Sequence, residues 1–229
     1  MRLASFFVGM LMLSLAAFAN QAAFKFRVPE DVEKFVQTYY QNPRPELLAP
    51  LIEAMPMSGF FKRANSGPPF IAFFSEVSVA NPSRLPEWQS IIERQDEVTR
   101  AALERAVALG KAGGVIVIEG YSGAVPDFYW GAFFASGNPA FLKKLIDMLK
   151  YWDERDNLEL FLAGMSAKWS LASNAQSHVL VRSTLEAERL DRDKRTQELI
   201  AELLVQDPGR IKQDARNIVV RQREAGKWN

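Results

Sequence analysis

The stretch from Asp127 to Leu149 limits the possible folds more than any other part of the chain. It runs Asp127-Phe128-Tyr129-Trp130-Gly131-Ala132-Phe133-Phe134-Ala135-Ser136-Gly137-Asn138-Pro139 and continues into a stripe of Leu142, Leu145 and Leu149. An asparagine side chain accepts hydrogen bonds from the free N–H groups of a helix start, and the fixed φ of proline suits the first helical position. Asn138-Pro139 therefore predicts a new helix and the end of the aromatic helix before it. Both flanks have helical period, with Tyr129 and Phe133, and Trp130 and Phe134, standing four apart. The segment reads as a helical hairpin.

The same device recurs. Asn42-Pro43 lies between Phe35, Val36, Tyr39 and Tyr40 on one side and Leu47, Leu48, Leu51 and Ile52 on the other. Asn81-Pro82 divides Phe70, Phe73, Phe74 and Val77 from Leu85, Trp88, Ile91 and Ile92, and Asp207-Pro208-Gly209 divides Leu199 and Leu203 from Ile211, Ala215 and Ile218. The intervals between these marks are unequal, so the expected fold is all-α, an irregular array of helical hairpins and not a regular solenoid. One short extended crossing is expected near 114–119, where Val115-Ile116-Val117-Ile118 is bounded by glycines and has no second strand to pair with.

The remaining helices follow from the same reading. Pro29-Glu30-Asp31 opens a helix to about Tyr40, and the next runs from about Pro45 to Met57, with Pro56 able to end it early. A stripe from Leu85 to Leu109 predicts one long helix from Pro82 to Gly110, and another stripe, including Phe161, Leu162, Met165 and Trp169, runs as far as Val179. Between Glu186 and Arg195 the charges are dense and mixed in sign, which reads as a solvated helix or connection.

Residues 1–19 look like a secretory signal. Met1-Arg2 supplies the positive start, Leu3 to Ala16 the apolar middle, and Ala17-Phe18-Ala19 the small residues a signal peptidase reads, so cleavage is expected after Ala19. The expected product is a single α-helical domain over 20–229, periplasmic or secreted, with no membrane anchor after cleavage. Removal of Arg2 leaves 27 basic and 27 acidic residues. Such a balance argues against nucleic acid as a partner, which calls for a basic face. The chain has no cysteine, which excludes disulfides, thiol catalysis and a lipid-bearing cysteine.

Chemistry-bearing residues are sparse. The only histidine, His178, has no accompanying nucleophile motif and reads as a partly exposed helical residue. No metal or other cofactor is expected. The glycines at 110, 113, 114 and 120 match neither the P-loop nor the dinucleotide pattern. Glu119 and Asp127 flank the loop Gly120-Tyr121-Ser122-Gly123 and form a candidate acid/base pair of the type that cleaves glycosidic bonds, with helix caps and surface residues as the bland alternative. The aromatic density around Trp130 reads first as core; a groove for an extended peptide or glycan is the alternative, with Tyr39, Tyr40, Tyr129 and Trp130 as its candidate lining.

The paired helices resemble tetratricopeptide arrays in layout only, because the repeat of about 34 residues and its Trp-x-x-Leu-Gly-x-x-Tyr signature are absent. The string Trp130 to Pro139 resembles a segment of exported helical proteins of bacteria, a resemblance that implies no activity. The function expected from the sequence is a non-enzymatic binding module for a protein or peptide. The alternative is a carboxylate-dependent hydrolase of cell-envelope polymers using Glu119 and Asp127.

Overall fold

A computed structural model describes residues 26, 29–58, 61, 67–114 and 124–228. The expected signal segment 1–19, the crossing at 115–119 and Glu119 therefore lie outside the described residues. Those described are all-α: α1 (Pro29–Thr38), α2 (Leu48–Ser58), α3 (Gly67–Ala80), α4 (Leu85–Ile92), α5 (Glu97–Lys111), α6 (Val125–Ser136), α7 (Pro139–Asp147), α8 (Leu158–Ser177), α9 (Val179–Arg189), α10 (Lys194–Val205) and α11 (Pro208–Glu224), joined by short 3-10 turns.

The aromatic helix α6 sits at the centre because it is apolar on every side. Only Asp127 and Ser136 among its residues escape full burial. It packs on α3, itself lined by Phe70, Phe73, Phe74 and Val77, and the two backbones meet where α6 has glycine: a Cβ on Gly131 would stand 1.8 Å from the Pro69 carbonyl oxygen. On the other side Trp130 reaches α8, donating its indole N–H to Ser170 Oγ at 2.8 Å. One continuous apolar cluster thus runs from Phe26 through α6 to Trp228. The tail end is docked, with Trp228 against Phe161 at 5.0 Å and Lys227 bonded to Asp156 at 3.1 Å.

The punctuation works by more than one mechanism. At the α6–α7 corner Gly137 takes φ +65°, a left-handed conformation that glycine adopts without strain, and its N–H closes α6 on the Phe133 carbonyl at 2.7 Å. Asn138 then caps α7, its Oδ1 accepting from Ala140 N–H at 3.0 Å, and Asp207 caps α11 through Arg210 N–H at 3.1 Å. Asn81 acts in the opposite sense: its side-chain amide donates to the Val77 carbonyl at 2.8 Å and so finishes α3 instead of opening the next turn. Asn42 makes no cap bond for the next helix, where the 3-10 turn Pro45–Leu47 starts after Arg44.

One expected long helix is broken, and another ends two residues short of Val179. Asp96 accepts from Thr99 N–H at 3.2 Å and Thr99 Oγ1 at 2.8 Å, starting α5 afresh, while Gln95 donates to the Ile91 carbonyl at 3.0 Å and finishes α4. Asp193 and Thr196 repeat this pairing at the start of α10. The helix expected to reach Val179 stops at Ser177, and the extended backbone of His178 separates α8 from α9. Pro56, in contrast, does not end α2, which continues to Ser58.

The charged run 186–195 is a cross-linked corner. Arg192 bridges Glu188 and Asp147, Lys143 pairs with Glu188 at 2.7 Å, and Arg195 forks onto both oxygens of Asp153 at 2.6 and 2.9 Å. These bonds tie α9 and α10 to α7 and to the 3-10 segment Met148–Asp153.

Candidate functional site

The residues singled out from sequence separate into core and margin. Tyr39 is 3% exposed, with its ring edge-on to Phe35 and Phe73 and its hydroxyl unpartnered among the described residues. Burial, reinforced by the negative charge of Glu46 and opposed by Arg84, pushes that phenol up to about 12. Tyr129 and Trp130 are both 5% exposed, and Trp130 stacks on Phe134 at 5.4 Å. Burial places these three in the core and not along an open groove. The physical reason is their position: α6 is covered on both sides, and Tyr39, in the turn after α1, packs its ring on Phe73 of α3.

Tyr40 alone is half-buried. Its hydroxyl lies 3.0 Å from His178 Nδ1 and accepts from Gln41 Nε2 at 3.1 Å, and its own proton can go to Nδ1 when that nitrogen is unprotonated. His178 is buried between the Tyr40 and Phe134 rings, and burial holds its pKa below the ordinary imidazole value. Sequence reading placed His178 partly exposed on a helix; the break between α8 and α9 turns it inward.

Asp127 occupies the third position of α6, whose N-cap residue, Ala124, offers no side-chain bond. The carboxyl has no hydrogen bond or ion pair among the described residues, and burial pushes it up to about 6. A carboxylate near a helix N-terminus is ordinarily favoured by the dipole, so desolvation outweighs that effect here. Its expected companion Glu119 lies outside the described residues. Among the described residues, no three His, Asp or Glu side chains gather into a metal-binding group.

A different feature has the shape of a binding site. Between α8 and α11 runs an apolar groove of about 590 Å³. From α8 it is lined by Leu162, Met165, Ser166 and Trp169 over a floor of Phe161, and from α11 by Lys212, Ala215, Arg216 and Val219. Both sets follow the i, i+3, i+4, i+7 spacing of a single helix face. Lys212 lies 3.6 Å from the Trp169 ring centroid, a cation–π contact that leaves its ammonium exposed at the rim. Arg216 is also exposed, and neither cation has an ion pair among the described residues. Helix α11 carries Arg210, Lys212, Arg216, Arg221 and Arg223 against only Asp214 and Glu224, so it is locally basic within a near-neutral chain, with Lys212, Arg216 and Arg223 on one face.

Sequence reasoning missed this groove. It counted Leu162, Met165 and Trp169 in the same stripe as Phe161, although Phe161 is fully buried and the other three are only partly covered. The legible signal was that α8 is apolar on more than one face, which exceeds what docking on one core requires.

No family model, curated protein or solved structure matches the chain. The fold and the groove define an all-α protein with a cation-rimmed trough between two helices. Among the described residues, no helix is long and apolar enough to cross a membrane.

Proposed function

We propose that the protein is an exported, non-enzymatic binding module of the bacterial periplasm or exterior, and that the groove between α8 and α11 takes an amphipathic helical segment of a partner protein. The observation that carries this reading is the pair of matched helix faces on one trough. Both walls are continuous helices, so their backbone N–H and C=O groups are spent internally and offer nothing to an extended chain. A helical guest satisfies its own backbone and needs from the host only apolar surface, in the helix-in-groove manner. Met165, unbranched and polarizable, lets such a surface adapt to different side chains.

The test is capture of a partner from envelope extract by the chain lacking residues 1–19, run beside Met165→Arg, which fills the groove with charge. A stoichiometric protein retained by the first and lost by the second, with both chains equally helical by circular dichroism, is the expected outcome. Equal retention by both would remove the groove from the function.

The second reading, a hydrolase of cell-envelope polymers, is favoured by the unpartnered carboxyl of Asp127, whose pKa of about 6 suits a general acid near neutrality. A peptidoglycan-release assay decides it: release that vanishes in Asp127→Asn would replace the binding reading with this one.

A further inference from the structure

We infer that the segment recognised by the groove is acidic, an amphipathic helix with carboxylates one turn apart along the edge that faces α11. The inference rests on the reading of the groove as a helix-binding site and adds the partner's chemistry to it.

Three observations carry it. Lys212 and Arg216 stand at i and i+4 on the α11 rim, about 6 Å apart along the axis at 1.5 Å per residue, and both are exposed without a carboxylate partner among the described residues. Two Glu or Asp side chains at i and i+4 of a docked helix have the same repeat, so each can meet one cation. The opposite rim is uncharged, because the polar groups of Leu162, Met165, Ser166 and Trp169 are one hydroxyl and one indole N–H. The recognition is therefore asymmetric, apolar along α8 and anionic along α11, and this asymmetry fixes how the guest helix is rotated about its axis. Arg223, eleven residues after Lys212 and so on the same helix face, extends the basic edge beyond the groove and adds to the attraction for an acidic partner on approach. The length from Leu162 to Trp169, about 10 Å, sets the contact at roughly two helical turns.

The test uses isothermal titration of the chain lacking residues 1–19 with three helical peptides that share one apolar i, i+3, i+4, i+7 stripe. They differ only in the flanking i, i+4 pair, which is Glu, Gln or Lys. The Glu peptide is expected to bind about tenfold or more tighter than the Lys peptide, with a preference that shrinks at about 0.5 M salt. Lys212→Glu/Arg216→Glu is expected to invert the order. Both positions are exposed, so the swap leaves the fold intact, and a thermal melt verifies it. Equal binding of all three peptides would overturn the inferred acidity while leaving the groove a helix site. Binding of none, or binding of oleate in place of every peptide, would overturn the acidity and the helix-site reading together.

Discussion

Gly131 and Pro69 touch backbone to backbone: a Cβ on Gly131 would fall 1.8 Å from the Pro69 carbonyl oxygen and 2.6 Å from its carbonyl carbon. The two most buried helices, α3 and α6, are held at this distance by the absence of one methyl group. Gly131→Ala would raise intrinsic helix propensity, but backbone cannot swing aside as a side chain can, so the helices must separate. The expected loss is about 3 kcal/mol or more, read from denaturant melts. An unchanged midpoint would mean that the helices do not meet here.

Trp130 combines apolar bulk with one specific bond. Trp130→Ala should cost about 3–5 kcal/mol through the cavity it leaves, and Trp130→Phe about 1 kcal/mol, much of it from the indole bond to Ser170. Asn138→Ala should cost about 1 kcal/mol, because Ala140 N–H loses its acceptor at an exposed helix start. Denaturant midpoints in that order would confirm the contrast between core and cap.

Asp127 should oppose stability near neutral pH. Its folded pKa of about 6 lies above the ordinary 3.8, so the folded state holds the proton more firmly. The resulting stability is fully present below 3.8 and is lost as the pH rises through about 6. Asp127→Asn should therefore stabilise the protein at about pH 7 by about 1 kcal/mol, less than the full shift because water still reaches part of the carboxyl. The gain over wild type should disappear at about pH 3.5.

His178 acts in the other direction. Burial lowers its folded pKa beneath 6.5, so the stability associated with neutral imidazole is present above 6.5 and is lost as the pH falls towards the lower folded value. Protonation also turns Nδ1 into a donor facing the Tyr40 hydroxyl, which must then find another acceptor for its own proton. Wild type minus His178→Asn, measured by melts from about pH 7 to about pH 5, should show a stability difference that declines with acid. A flat difference would mean that the imidazole is freely solvated.

Lys168 is a buried cation with two partners, Glu202 at 2.7 Å and the Trp152 ring at 4.2 Å. Glu202→Gln keeps the shape but removes the countercharge, and it should cost about 1–3 kcal/mol; Lys168→Met, which removes the charge together with its need for a partner, should cost less. Parallel melts of the two variants provide the comparison.

Much of the helical order is written locally. Gly137-Asn138-Pro139 and Asp207-Pro208 cap through bonds spanning two to four residues, and the aromatic periodicity of α6 requires burial wherever the helix is placed. The break at Asp96 was harder to read: Asp96 and Thr99 were visible as residues, but the hydrophobic stripe running past them suggested continuity, and the side-chain cap prevailed over it. Asn81 shows the same limit, since an asparagine between two helices can close the first or open the second with equal chemistry.

By itself the sequence determined the all-α class, the aromatic centre and the main corners, because capping and helical periodicity act over a few residues. The tertiary structure alone decided which apolar faces are covered. Phe161 and Leu162 are neighbours of similar hydrophobicity, yet the first is fully buried against Trp228 at the groove floor and the second stays partly exposed on the groove wall. His178 meets Tyr40 only because α8 and α9 part at that residue and turn it inward, and Lys212 meets Trp169 only because α11 returns alongside α8. These relations join residues about 40 or more apart in the chain, and at that separation the outcome depends on packing and not on local spacing.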